Sequence, residues 1–147
     1  MKSIICNLDG YLLSLRRLSG NKCDFWANTF EIEGDLEKSL LNHLNEMPIE
    51  VSLGNKTTIG FSEIDEVLQK HIFSNISIKD ENLLKLFAWD IVEFIDMTYR
   101  LLEPRINPIS DGHALLFDAT SEFHGDYVYM IIPVLQQAVI IGLATRA

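Results

Sequence analysis

Positive charge is scarce in this chain: twelve Lys and Arg stand against twenty-one Asp and Glu, for a formal net charge of −9. That shortage speaks against nucleic acid and anionic membrane surfaces as partners, since both are polyanions and repel an acidic protein. Cysteine occurs only twice, as Cys6 and Cys23, too few for a disulfide scaffold and at no zinc-ligand spacing. Two free, buried thiols in a reducing cytosol are therefore expected. Phosphate-binding and nucleophile motifs are missing as well: there is no P-loop, no dinucleotide loop and no Gly-x-Ser-x-Gly turn. The apolar run Ile4-Ile5-Cys6 is cut by Asn7 and Asp9 with no cleavage site after it, so no signal peptide is expected and the location is read as cytoplasmic. One long stretch, residues 127–145, has no charge, but Pro133 and Gln136-Gln137 interrupt it and Glu122 and Asp126 precede it. Its Val, Ile and Tyr content suits a buried hairpin better than a membrane span.

What is present is an ordinary globular composition. The chain has 147 residues, and its 48% apolar and 22% charged content is enough to bury a core, so residues 1–147 are read as one domain. Residues 3–18 read as a β-hairpin turning at Asp9-Gly10, a strong two-residue turn signal. Phe25 to Glu33 reads as a strand. Gly34-Asp35 opens a helix with Leu36, Leu40, Leu41 and Leu44 on one face, ended by Pro48. Residues 49–53 and 57–61 look like two short strands joined by Gly54-Asn55-Lys56. A second helix starts at Ser62, with Asp65 in the capping-box slot and Ile64, Val67, Leu68 and Ile72 as its apolar face.

The most sharply patterned element is a helix from about Asp80 to Glu103. Leu83, Leu84, Phe87, Ile91, Ile95, Tyr99 and Leu102 form its apolar stripe, and Pro104 stops it. Strands are expected at about 113–120, 127–134 and 138–145. The last turn, Leu135-Gln136-Gln137, lacks Gly or Asn, so a helix starting at Pro133 is an alternative there. Strands, helices and strands in that order indicate an α+β fold, a mostly antiparallel sheet packed against about three helices.

Few residues suggest catalysis. Ile4 to Leu12 resembles the opening motif of haloacid dehalogenase-type phosphatases, an apolar strand leading into Asp-x-Asp-Gly. In that family the first Asp attacks phosphorus; here Asn7 occupies the position, and an amide cannot replace the carboxylate nucleophile. Asp111, His113, Asp118, Glu122, His124 and Asp126 form an acid and histidine cluster. Such groups can bind a divalent metal, or sit as solvated strand ends beside the turns at Gly112 and Gly125. His43 and His71 lie toward the ends of helices, where a histidine serves as a dipole partner. No cofactor and no resident metal are expected.

The acidity itself is concentrated. Residues 24–50 hold Asp24, Glu31, Glu33, Asp35, Glu37, Glu46 and Glu50 against Lys38 alone. Either this is a solvated face, or it is a docking face where dense carboxylates speed encounter with a cationic protein. The candidate partner-binding residues are Glu31, Glu33, Asp35, Glu37, Glu46 and Glu50. In size, acidity, α+β pattern and lack of catalytic motifs, the chain resembles the small immunity proteins of bacterial contact-dependent growth inhibition. That resemblance implies a cytosolic protein that blocks a cognate toxin domain, often a basic nuclease, and catalyses nothing. The competing readings are a small metal-dependent hydrolase built on the 111–126 cluster, and an adaptor that pairs through its C-terminal strands.

Overall fold

A computed structural model describes residues 2–18, 23–47, 52–72, 80–102, 105, 112–121 and 125–145. Its centre is a five-stranded sheet formed by β1 (Cys23–Glu31), β2 (Ser52–Gly60), β3 (His113–Ser121), β4 (Gly125–Val134) and β5 (Gln137–Thr145), in the order β1-β5-β4-β3-β2. Every neighbouring pair is antiparallel. The helices among the described residues are α1 (Lys2–Leu18), α2 (Leu36–Asn45), α3 (Ile64–Ile72) and α4 (Glu81–Leu102). The α+β fold with an antiparallel sheet is thus as expected, with one helix more than anticipated.

The extra helix is α1, which replaces the expected hairpin over residues 3–18. Ile5, Leu8, Leu12 and Leu15 recur at helical spacing and are all buried. That stripe outweighs the local turn preference of Asp9-Gly10. Gly10 lies exposed, with open space around the position of a Cβ, so a mid-helix glycine costs only its conformational entropy, about 1 kcal/mol against alanine. Asp9 accordingly turns no hairpin: its Oδ1 accepts the Ala27 backbone N–H at 2.9 Å. Ala27 lies on edge strand β1, and its N–H points away from β5, so the carboxylate satisfies a donor the ladder leaves open. Cys6, expected to be buried, is exposed on α1, whereas Cys23 is buried.

Alternation along the strands separates two cores. Phe25 and Ala27 on β1, Met130 and Ile132 on β4, and Val139, Ile141 and Leu143 on β5 face α1, α3 and α4. Phe30, Phe117, Tyr127, Tyr129, Ile131 and Ile140 belong to the opposite side, with Leu40 and Leu44 of α2. The uncharged run 127–145 is explained by this arrangement: β4 and β5 are inner strands, covered on both faces. They join through the two-residue turn Leu135-Gln136, so residues 133–145 are strand and turn, not helix. Among the described residues no helix is long and apolar enough to cross a membrane.

Further corrections concern β2 and the helix starts. Residues 52–60 form one strand; the break at Gly54-Asn55 is a bulge between Leu53 and Lys56, not a turn between two strands. Residues 49–51 of the first expected strand lie outside the described residues. A 3₁₀ turn (Phe61–Glu63) leads into α3, and the cap is Gly60, whose N–H donates to Glu63 Oε2 at 3.4 Å, in place of Ser62 and Asp65. At α4, Asp80 Oδ1 accepts the N–H groups of Asn82 and Leu83 at 3.0 and 3.3 Å, a regular side-chain cap. Tyr11 ties α1 to α4: its hydroxyl donates to Asp90 Oδ2 at 2.9 Å and its ring meets Phe87 and Phe94.

Candidate functional site

Three of the six predicted docking residues, Glu31, Glu33 and Glu46, line one open cleft of about 660 Å³ between the end of β1 and α2, with Glu31 leaving β1 on the α1 side by strand alternation, opposite Phe30. Local structure brings them there. Ile32 N–H donates to Gln136 O at 2.7 Å, carrying the ladder one residue past Glu31. Gly34, at φ 74°, then reverses the chain, a conformation that favours glycine. The buried Ser39 fastens the turn: its Oγ accepts the Glu33 N–H at 2.9 Å and donates to Asp35 O at 2.8 Å. α2 runs back over the sheet until His43 stacks on Phe30, rings 5.2 Å apart and 23° from parallel. Glu46 follows as the C-cap residue, its N–H bonded to His43 O at 3.2 Å.

Glu46 stands where the helix dipole disfavours a carboxylate, and Glu31 and Glu33 share its cleft. Among the described residues no Lys or Arg lines that cleft. The other titratable group in its described lining, His43, has its pKa lowered by burial, with Glu46 opposing the shift, and its Nε2 is buried without a hydrogen-bond partner among the described residues. The imidazole is thus held toward its neutral form. Ser39 is no nucleophile, because its hydroxyl is committed to backbone groups on both sides. The described lining of this open cleft thus carries three acidic residues and no Lys or Arg.

The other predicted residues do not join it. Asp35 is exposed at the N-cap of α2 and makes no side-chain cap. Glu37 is spent on Lys56 Nζ at 2.7 Å, tying the first turn of α2 to β2, the opposite edge strand. Glu50 lies outside the described residues. Asp24, counted in the same acidic stretch, pairs with Arg16 at 2.9 Å. Thr29, Asn42 and Gln137 complete the rim of the cleft and carried no sequence signal; Gln137 arrives only because β5 pairs it with Glu31.

The competing readings find less. Asp111, Glu122 and His124 lie outside the described residues, and strand alternation puts His113 and Asp118 on opposite sides of β3. Among the described residues no group of three His, Cys, Asp or Glu side chains is placed to hold a metal ion. β4 and β5 are each paired on both sides, so neither offers the open edge that an adaptor role requires. Asn7 and Asp9, the positions of the phosphatase-like motif, sit within a helix instead of at the end of a strand. No protein-family model matches the chain, and no curated protein matches it in sequence.

Proposed function

We propose that this chain is an inhibitory binding protein of the immunity type, which covers the active site or substrate groove of a basic toxin domain with the cleft at β1 and α2. The observation that carries the reading is that Glu31, Glu33 and Glu46 line one open cleft with no compensating base among the described residues. The same region has two other acids whose charge is spent inside the molecule, Asp24 on Arg16 and Glu37 on Lys56. Concentrating unpaired carboxylates costs stability through self-repulsion, and such cost is tolerated where a partner later supplies the missing charge. A toxin groove lined with Lys and Arg for phosphates supplies it. Inhibition is then steric and electrostatic, and the chain itself catalyses nothing.

The test is rescue. The genes beside its own are searched for a basic toxin domain, whose absence would count against the reading; the chain is co-expressed with that domain, and survival is scored for the wild type and for Glu31→Lys/Glu33→Lys/Glu46→Lys. The reading expects the wild type to protect and the triple variant to fail. The variant's binding is expected to be weaker and its salt slope shallower by calorimetry. Equal protection by a folded triple variant rules out this cleft as the inhibitory face.

A further inference from the structure

The long helix α4 is apolar on two opposite sides. Its inner side, with Ala88, Ile91, Val92, Ile95 and Tyr99, is buried against the sheet and α3. Its outer side carries Leu83, Leu86, Trp89, Met97 and Leu101, all exposed, with Trp89 at 54% and Leu101 at 60% of full accessibility. At 100° per residue these five positions fall within roughly a third of the helix circumference and extend over about 27 Å. Five of the eight large exposed apolar side chains among the described residues belong to this strip. Leu83 was expected on the buried stripe and lies here instead. Five large exposed apolar side chains along one side of a helix, parted by Asp90 and Glu93 between Trp89 and Met97, mark a place of contact.

Beside the strip, between the start of α3 and α4, lies a cleft of about 370 Å³ with Phe61, Val92 and Trp89 among its apolar walls. Asp65 and Glu93 are also in its lining, and neither has a basic partner among the described residues. Asp96 and Arg100, both also in the lining, pair with each other at 2.8 Å, which leaves the acids in excess there. The indole N–H of Trp89 donates to Glu93 Oε1 at 3.1 Å, which fixes ring and carboxylate together. An aromatic ring beside two carboxylates that lack a basic partner among the described residues is a receptor for a guanidinium or ammonium group.

We propose that the outer face of α4 with this cleft is a second docking surface, and that its occupant is a cationic amphipathic helix of a protein partner. Apolar residues of that helix lie along Leu86, Trp89, Met97 and Leu101, and one Lys or Arg enters the cleft between Trp89, Asp65 and Glu93. The charge pattern selects this occupant over two others. A second copy paired about a two-fold axis at the middle of the strip would bring Glu93 against its own duplicate. An anionic lipid surface is repelled by Glu93 within the strip and by Asp65 beside it. This surface lies on the opposite side of the sheet from the acidic cleft at α2, so the two are separable.

A synthetic amphipathic helix built only of Leu and Lys serves as the probe, titrated against the full chain by calorimetry and by Trp fluorescence. Expected are saturable one-to-one binding, a change in emission that disappears in Trp89→Phe, and weaker binding to Asp65→Asn/Glu93→Gln. The decisive variant is Leu86→Asp/Leu101→Asp, two exposed positions that leave the buried face untouched. Removing apolar contact while adding negative charge is expected to weaken binding at least roughly tenfold. Equal or tighter binding to that variant means charge alone attracts the probe and overturns the proposal. So does a wild-type dimer in sedimentation that the same variant dissociates, or binding of the wild type to phosphatidylcholine vesicles. Glu31→Lys/Glu33→Lys/Glu46→Lys is expected to leave probe binding within twofold, which separates this surface from the inhibitory cleft.

Discussion

The indole of Trp26 fills the space in which a side chain at position 142 would stand. Trp26 of β1 and Gly142 of β5 are directly opposite in the ladder, and a Cβ on Gly142 would collide with the Cε2, Nε1 and Cζ2 atoms of that ring. The ring in turn meets Tyr129 edge-on at 6.0 Å, and Tyr129 stacks with Tyr127. The glycine is thus required for close aromatic packing across the ladder, not for an unusual backbone angle. Gly142→Ala is expected to destabilise the fold by about 1–3 kcal/mol, the range for overpacking, and to shift Trp26 emission to the red as the ring leaves its seat. Adding Trp26→Ala is expected to remove much of that penalty, so the two changes are non-additive in chemical denaturation. Simple additivity would show that the ring does not carry the strain.

The Asp9 carboxylate and the Ala27 N–H give a second test. Asp9→Ala leaves a donor on the edge strand without its partner, at an expected cost of about 1–2 kcal/mol, whereas Asp9→Asn keeps the oxygen and loses less. Amide exchange at Ala27 is expected to accelerate in Asp9→Ala and to stay near wild type in Asp9→Asn. Unchanged exchange in the alanine variant would count against the bond.

These two contacts also show where the sequence was readable. The three C-terminal strands and α4 were legible because their patterns are long and consistent over many residues. α1 was not: Asp9-Gly10 is a strong local turn signal, and the stripe Ile5, Leu8, Leu12, Leu15 gains its energy only from a sheet that forms later in the chain. Gly54-Asn55 misled for the same reason, since a bulge and a turn use similar residues and only the pairing of β2 with the same strand β3 on both sides of it distinguishes them. In the candidate site, Glu31, Glu33 and Glu46 were visible as charge density. That Glu37 and Asp24 are neutralised was not, because Lys56 and Arg16 reach them through tertiary packing.

Histidine burial predicts a pH dependence. His43 and His71 both have their pKa lowered below the usual 6.5, in each case chiefly by desolvation. The unfolded chain therefore binds these protons more readily than the folded one, and stability rises with pH across that window. The contribution is complete above the unfolded value of 6.5 and is lost as pH falls through the lower folded values. Urea midpoints are expected to decline between neutral and mildly acidic pH. His43→Phe, which keeps the stacking on Phe30 and removes a buried Nε2 without a partner among the described residues, is expected to reduce the slope. A slope unchanged by both His43→Phe and His71→Gln would assign the pH dependence to carboxylates.

The acidic cleft predicts a conflict between stability and binding. If Glu31, Glu33 and Glu46 repel one another, Glu31→Gln/Glu33→Gln/Glu46→Gln is expected to melt at a higher temperature than the wild type at low ionic strength. The gain is expected to shrink in high salt, where exposed charges are screened. Glu37→Gln is expected to give no such gain, because its charge is already matched by Lys56. A triple variant that melts lower at every salt concentration would show that these carboxylates support the fold and are not a reserve of unpaired charge.

The turn between β4 and β5 offers the cleanest backbone test. Leu135 holds a positive φ of 60°, while Gln136, the other loop residue, does not, the pattern of a hairpin turn that favours glycine at its first position. A branched side chain is strained there, and Leu135 recovers little by burial, being 60% exposed. Its place in a tight two-residue loop between the two innermost strands leaves the backbone no room to relax. Leu135→Gly relieves the strain but loosens the unfolded chain, and the first effect is expected to dominate, raising stability by about 0.5–1 kcal/mol. Leu135→Asn is expected to capture part of that gain, and Leu135→Val, branched at Cβ, to lose stability. If glycine destabilised the hairpin, contacts of the Leu135 side chain would have to outweigh its backbone cost, and the order Gly, Asn, Leu, Val in denaturation midpoints would be broken.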